Sequence, residues 1–524
     1  MANKDVFSQP QAATLTHDEA PSGLQGITDD RAFFGHPRGL ATLFFMEMWE
    51  RFSYYGIRPL LVLFMTAALM SGGLGLTRET ASAITGIYAA SVYLSSLPGG
   101  WIADRWLGLQ RAIWYGGVFI ALGHLSIALS AVLSSKMFFL GLILIIIGTG
   151  LLKPNISALV GDLYTDRGAR RDAGFSIFYM GINLGAFIAP FFSGPLGERV
   201  GWHLGFGAAG LGMLIGLITF RIRAGTTLGP LGSAASGSAS DQKRARTVAL
   251  ALGAVVAVVV LLGMLGVYTV NPVALATKVR DVILTAAVLY FIYLFLFAGL
   301  TTNEKKGMVV IVVLFVFSVI FWSAYEQAPT SLNLFARDFT DRHVMGHEVP
   351  TSMLQSVPPF FVIVFAPVFA AVWTVLGKRN ANPSSPAKFT FGLAAAGVGF
   401  LLMVAAANHV IAGGTGARVA MWWLIGSYLL QVWGELALSP VGLSAMTTLA
   451  PRRIVGQMMG VWFTSISLGN LIAGLIGGNV DPEKLNEMPA LFQRTAVSLF
   501  VAAAVLLVLL IPISRMMRKR AAES

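Results

Sequence analysis

Residues 47–58 read EMWERFSYYGIR, with two glutamates and two arginines set inside an apolar run that extends from Gly39 to about Met70. A run of that length crosses a bilayer, for which about 20 residues suffice. A charge at the centre of such a helix costs about 2.5–3.5 kcal/mol on insertion scales, so several charges in one span must be paired or must line water. On an ideal helix Glu47, Glu50, Arg51, Tyr54 and Arg58 project within an arc of roughly 100°. The segment therefore reads as a membrane helix with one polar stripe turned inward. Glu47 and Arg51 have the spacing of an ion pair, and Tyr54 is an i, i+4 neighbour of both Glu50 and Arg58. The stripe suits a group that holds and exchanges a proton; the competing reading is a structural salt-bridge cluster that locks this helix to its neighbours.

The rest of the chain has the same character. It is 56% hydrophobic and 12% charged with a mean hydropathy of +0.72, against roughly 45–50% apolar and about 25% charged in soluble domains. Spans are predicted at about 39–70, 81–104, 111–134, 137–162, 172–196, 203–222, 246–270, 281–302, 308–335, 352–377, 388–412, 419–449, 455–478 and 489–514. The expected fold class is an all-α polytopic membrane protein with fourteen transmembrane helices. The net charge of +12 does not point to nucleic acid, because the basic residues fall in short clusters between spans, among them Arg105 with Arg111, Arg167 with Arg170 and Arg171, Lys243 with Arg244 and Arg246, and Arg515 with Arg518, Lys519 and Arg520. These clusters share one side. The positive-inside rule then places both termini in the cytoplasm of a multi-pass inner-membrane protein. The absence of cysteine excludes disulfides and thiolate metal sites. The polar stretch before Gly39 has no signal-peptide core, so the first span is expected to serve as its own insertion signal.

Residues 228–244, LGPLGSAASGSASDQKR, read as a flexible linker near the middle of the chain. The two sides of it echo each other. LLKPNISALVGDLY at 151 is similar to ALSPVGLSAMTTLA at 437, and GINLGAFIA at 181 to SISLGNLIA at 465. Weak repeats of this kind characterise transporters. The expected organisation is a cytoplasmic tail 1–38, a six-helix bundle 39–222, a linker 223–245, an extra peripheral hairpin 246–302, a second six-helix bundle 303–514 and a basic tail 515–524.

Further spans carry charges with no local partner: Lys153, Glu326 and Glu435. A buried cation and a buried carboxylate far apart in sequence suit a zwitterionic ligand, with a direct Lys153–Glu435 salt bridge as the bland alternative. The end of the second span, LPGGWIADRWLGLQRA at 97–112, places Asp104, Arg105 and Arg111 at the cytoplasmic edge among small residues, a gate signature. His343 and His347 are four residues apart in an expected extracellular loop, with no companion motif for a metal. No catalytic triad, metal-ligand set or phosphate loop sits at one membrane depth, so neither an enzyme nor a cofactor is expected.

EMWERFSYYG at 47 resembles the ExxERFxYYG motif of the proton-coupled oligopeptide transporter family, and FYMGINLG at 178 is similar to its FYxxINxG motif. FWSAYEQ at 321, GLLKPNIS at 150 and ELALSPVGLS at 435 complete the set in order, while 97–112 resembles the loop motif of the major facilitator superfamily. The resemblance implies a major facilitator fold with two extra helices between the bundles, as in bacterial members, and import of di- and tripeptides with protons as the coupling ion. It implies a monomer in lipid whose partners are small peptides and protons. Glu47, Glu50, Arg51 and Glu326 would serve proton coupling, with Lys153 near Glu47 and Arg58 paired with Glu326. Arg58, Lys153, Glu435, Tyr54, Tyr88, Asn183, Trp322 and Trp462 would contact peptide. One departure stands out: Pro358 in SVPPFF occupies a position where the family often has asparagine. The nearest rival is a carrier of nitrate or another small anion, which Glu435 disfavours; a non-transporting receptor is the rival from another class.

Overall fold

The computed structural model describes residues 22–165, 168–414 and 416–522. The first 21 residues of the expected tail and Arg167 lie outside the described residues, as do the side chains of Arg515, Arg518, Lys519 and Arg520. Fourteen helices of 18 residues or more follow one another among the described residues: α1 Arg38–Thr66, α2 Arg78–Ile102, α3 Leu109–Leu129, α4 Lys136–Asp162, α5 Ala169–Pro195, α6 Trp202–Thr227, α7 Ala239–Met264, α8 Pro272–Phe297, α9 Thr302–Tyr325, α10 Val357–Lys378, α11 Ser385–Gly413, α12 Trp422–Leu449, α13 Val455–Gly477 and α14 Met488–Ala522. Eleven helical stretches are long and apolar enough to cross a membrane. The three helices outside that set are α1, α2 and α12, which carry the EMWERFSYYGIR stripe, Tyr88 and Glu435.

Small residues bring the helices into backbone contact. A Cβ added at Gly116 of α3 would stand 2.6 Å from the Gly148 carbonyl oxygen of α4, and one at Gly148 2.5 Å from that of Gly116. Gly123 and Gly141 repeat the arrangement seven residues on. In hydrocarbon no hydrophobic force drives helices together, so such close van der Waals approach does. Gly99 of α2 makes the tightest of these contacts, where a Cβ would overlap the Gly150 carbonyl of α4. Gly99→Ala is accordingly expected to cost about 1–3 kcal/mol by overpacking, read as a lowered Tm of the purified protein in detergent; an unchanged Tm would refute a rigid α2–α4 contact.

The first half and the second meet where α2 crosses α13, with Gly86 and Gly474 against each other's Cα atoms and Ser467 Oγ donating to the Ala90 carbonyl at 3.1 Å. The hairpin expected to be peripheral divides its roles. The most apolar stretch of α7 has no buried residue, an arrangement suited to lipid, whereas α8 lies over this seam with Ala276 buried against Ala83, Ala90 and Leu471. The Tyr290 hydroxyl of α8 also donates to Gln457 Oε1 at 2.5 Å.

Two expectations need correction. The segment read as a flexible linker is tied down: α6 runs on to Thr227, the Gln110 side chain donates to the carbonyls of Gly229 and Leu231, and Ser236 N–H donates to the Asp104 carbonyl at 2.8 Å. Its Gly/Ser composition describes its side chains; the order comes from backbone groups that find partners. The ninth span, expected at 308–335, breaks. α9 stops at Tyr325, and the chain passes through a π-helical turn Ala328–Leu332 into a short helix Asn333–Phe339, because Pro329 has no N–H to continue the ladder. In the loop where they were expected, His343 and His347 lie on a β-hairpin, with His343 opposite Glu348 and its Nδ1 2.8 Å from Asp341 Oδ1.

Candidate functional site

The stripe on α1 is buried from Glu47 to Tyr54, with Glu47 and Glu50 each 1% exposed and Arg51 3%, and half-buried at Arg58. The expected Glu47–Arg51 pair is present but long, Arg51 Nε standing 3.5 Å from Glu47 Oε1. The shorter partner is the adjacent Glu50, which accepts from Arg51 Nε at 2.5 Å and from a terminal guanidinium nitrogen at 2.7 Å. Adjacent residues on a helix ordinarily point apart. Here the Glu50 carboxylate also reaches α4, whose Thr149 hydroxyl donates to its Oε1 at 3.4 Å. Glu47 Oε2 is left with no hydrogen-bond partner among the described residues.

Tyr54 bridges the two arginines of the stripe. The Arg51 and Arg58 guanidinium carbons lie 5.0 and 5.8 Å from its ring centroid, within cation–π reach. Its ring also stacks on Tyr88 of α2 at 6.0 Å, and the Tyr88 hydroxyl is buried with no hydrogen-bond partner among the described residues. Arg58 forms an ion pair with Glu326, joining α1 to the end of α9 across the two halves, and its Nε has no hydrogen-bond partner among the described residues. The break after Tyr325 places Glu326 at a helix end, where its neighbour Asn333 donates from Nδ2 to the Pro59 carbonyl at 2.8 Å.

Lys153 and Glu435 do not meet. The Lys153 ammonium lies 4.4 Å from the Tyr93 ring centroid, within electrostatic reach of Glu50, Glu47 and Glu326 but in no described ion pair. Glu435 accepts a hydrogen bond from the Tyr325 hydroxyl at 2.5 Å. The bland Lys153–Glu435 bridge is therefore absent from this conformation. Trp322 packs against Gly469 and edge-on to Tyr325, with its indole N–H unpartnered, and Trp462 packs into the space left by Gly442. Asn183 points its amide back along α5, donating to the Tyr179 carbonyl at 3.0 Å. Pro358 sits in the first turn of α10, where its missing N–H costs the helix nothing.

Sequence reasoning missed Tyr325, Tyr93 and Thr149. Tyr325 was visible beside Glu326 in FWSAYEQ; Tyr93 and Thr149 carried no signal, because their importance comes only from the charge each faces.

The two faces of the molecule differ. On one, Arg78 pairs with Asp338 at 2.6 Å, Arg337 donates to the Thr66 hydroxyl at 2.8 Å, and Glu198 accepts from the Thr351 N–H at 2.8 Å, all between halves. The opposite face holds the π-helical turn Ala103–Leu107, and none of the described ion pairs involves Asp104, Arg105 or Arg111. Asp104 meets the inter-bundle segment through its carbonyl instead.

A family profile described as the POT family matches residues 110–490. The chain belongs to the POT family. The peptide transporter YePEPT of Yersinia enterocolitica is 51% identical over 494 residues, covering 93% of this chain and 96% of the relative. A di-/tripeptide transporter of Lactococcus lactis is 38% identical over 456 residues, 84% of this chain and 89% of its own. A crystal structure of a mutant POT peptide transporter in complex with alafosfalin superposes with a TM-score of 0.85 at 40% identity, covering 94% of this chain and 99% of that one. The fold is thus that of POT transporters, all-α, polytopic and of the major facilitator type, in a multi-pass membrane transporter family. The POT profile begins after α2, so the α1 stripe falls outside it and inside the longer YePEPT match.

Proposed function

We propose that the chain is a proton-driven symporter that imports di- and tripeptides by alternating access, with protons as the coupling ion. The observation that carries this reading is a cation and a carboxylate from opposite halves, Lys153 of α4 and Glu435 of α12, held apart beneath the closed Arg58–Glu326 bridge. A peptide is a zwitterion. Its carboxylate is drawn by Lys153 and Arg58, and its amino terminus displaces Tyr325 at Glu435. Tyr54, the unpartnered Tyr88 hydroxyl and Asn183 supply hydrogen bonds, while Trp322 and Trp462 wall side-chain pockets with surfaces tolerant of sequence. Relatives named as peptide and di-/tripeptide transporters support this cargo.

Coupling follows from the buried pair. A proton on Glu326 removes the partner of Arg58, which then turns to the peptide carboxylate, and Glu47, Glu50 and Arg51 respond as the second protonation site. In this reading the inter-half contacts at Arg78, Glu198 and Asp338 make up the outer gate, and Asp104, Arg105 and Arg111 belong to the inner gate. Both termini then face the cytoplasm of the inner membrane, and the working unit is a monomer in lipid. Proteoliposomes holding the purified protein are expected to accumulate labelled dialanine when a pH gradient is imposed. Uptake indifferent to collapse of the gradient would overturn the coupling, and nitrate that competes for uptake where a dipeptide does not would favour a small-anion carrier.

A further inference from the structure

We propose that Glu198 is a positioning residue of the transport cycle, a lock that holds the closed face shut separately from Arg58 and Glu326. This rests on the alternating-access reading above. Glu198 lies in the π-helical turn Leu196–Val200 that follows α5. Its carboxylate reaches into the second half, where Oε2 accepts from the Thr351 N–H at 2.8 Å, and Oε1 from the Ser352 N–H at 2.8 Å and the Ser352 hydroxyl at 2.6 Å. Three donors on one ionised acceptor make a charge-assisted cluster, stronger than the neutral hydrogen bonds around it. Both donor residues are buried, Thr351 at 1% and Ser352 at 0% exposure. Parting the halves here leaves their N–H groups without a partner until water enters, which is the barrier a lock needs.

The neighbourhood is built around this contact. A Cβ at Gly194, one turn before Glu198, would stand 2.5 Å from the Ser352 hydroxyl, so the glycine leaves the room in which the Ser352 side chain packs on α5. Further along the same seam the Ser356 hydroxyl donates to the Phe187 carbonyl at 2.8 Å, and on the other side Arg199 donates to the Glu348 carbonyl. The Arg342 guanidinium is the nearby cation, within electrostatic reach of Glu198 but bound to Glu348 at 2.6 Å. Unlike Glu326, whose cation Arg58 can turn to a peptide, Glu198 holds only backbone and hydroxyl groups of the opposite half. It therefore controls the closed face without carrying the cargo.

The chain has no cysteine, so labels can be placed without first removing native thiols. Cysteines substituted for Met70 and Met345, exposed residues of that face in opposite halves, carry spin labels whose separation is read by pulsed dipolar spectroscopy in lipid nanodiscs. Glu198→Ala is expected to raise the long-distance population about tenfold, Glu198→Gln less, and Ser352→Ala least, in step with the acceptors and donors each removes. The same rise is expected in a Glu326→Gln background, because the two contacts share no atoms. A distance distribution unchanged in Glu198→Ala overturns the proposal, as does a rise that vanishes once Glu326 is neutralised. Should Glu198→Ala fail to fold, Glu198→Gln and Ser352→Ala decide by the same readout. A general loss of stability broadens the distribution without creating a second distance, and the readout does not depend on what the cargo is.

Discussion

Glu326→Gln is expected to keep exchange of labelled dialanine across proteoliposomes and to lose its accumulation against a gradient. Glu326 is 5% exposed and is the carboxylate that ties Arg58 to the other half. Glutamine keeps the size and a hydrogen-bonding oxygen but fixes the neutral state, so the site behaves as though permanently protonated. The carrier then cycles without taking up or releasing a proton at this position. One charge moved through 100 mV is worth about 2.3 kcal/mol, roughly a fifty-fold accumulation. The substitution is expected to bring the internal-to-external ratio close to unity while counterflow continues. Accumulation that survives would remove Glu326 from the coupling path, and loss of exchange as well would make it a structural residue.

The second large effect is on stability. Arg51→Met leaves Glu50 without its two guanidinium bonds and Glu47 without its nearest cation, with both carboxylates almost wholly buried. Breaking a buried ion pair by removing one partner typically costs about 3–5 kcal/mol, because the remaining charge is uncompensated. Thermal unfolding in detergent is expected to show that loss for Arg51→Met and to return part of it in the Arg51→Met/Glu50→Gln double variant. Lys153→Met, which removes a cation in no described ion pair, is expected to cost much less. Equal losses for Arg51→Met and Lys153→Met would mean that the Glu50–Arg51 bonds add nothing beyond general charge balance.

Particular residues show where reading from the sequence succeeds. The stripe on α1 was legible because helical periodicity converts spacing into direction, and a membrane span cannot hide four charges on separate faces. Arg58 and Glu326 were legible as charges in need of remote partners, and the family motifs supplied the pairing. The Glu50–Arg51 contact was not, because the i, i+1 spacing argues against it, and the Thr149 hydroxyl that also meets Glu50 comes from α4, 99 positions away. Glu198 carried no signal at all: it is one polar residue near a helix end, and its three donors lie more than 150 positions away. The docked inter-bundle segment was misread for a related reason, since composition reports what side chains prefer and says nothing about carbonyls that a distant Gln110 can reach.

The sequence by itself determined that this is a polytopic helical membrane protein, where its long helices run, and that charges of both signs stand inside them. Those properties are local: hydropathy acts over about 20 residues and helical direction over a few turns. The tertiary structure alone decided that Lys153 and Glu435 stay apart, that Arg51 turns to Glu50, and which face of the molecule is shut. A buried charge has to find some partner, but several arrangements of the same helices satisfy that demand with small differences in energy. Their near equality hides the choice from local sequence, and it is also the property that lets a carrier pass between its closed faces.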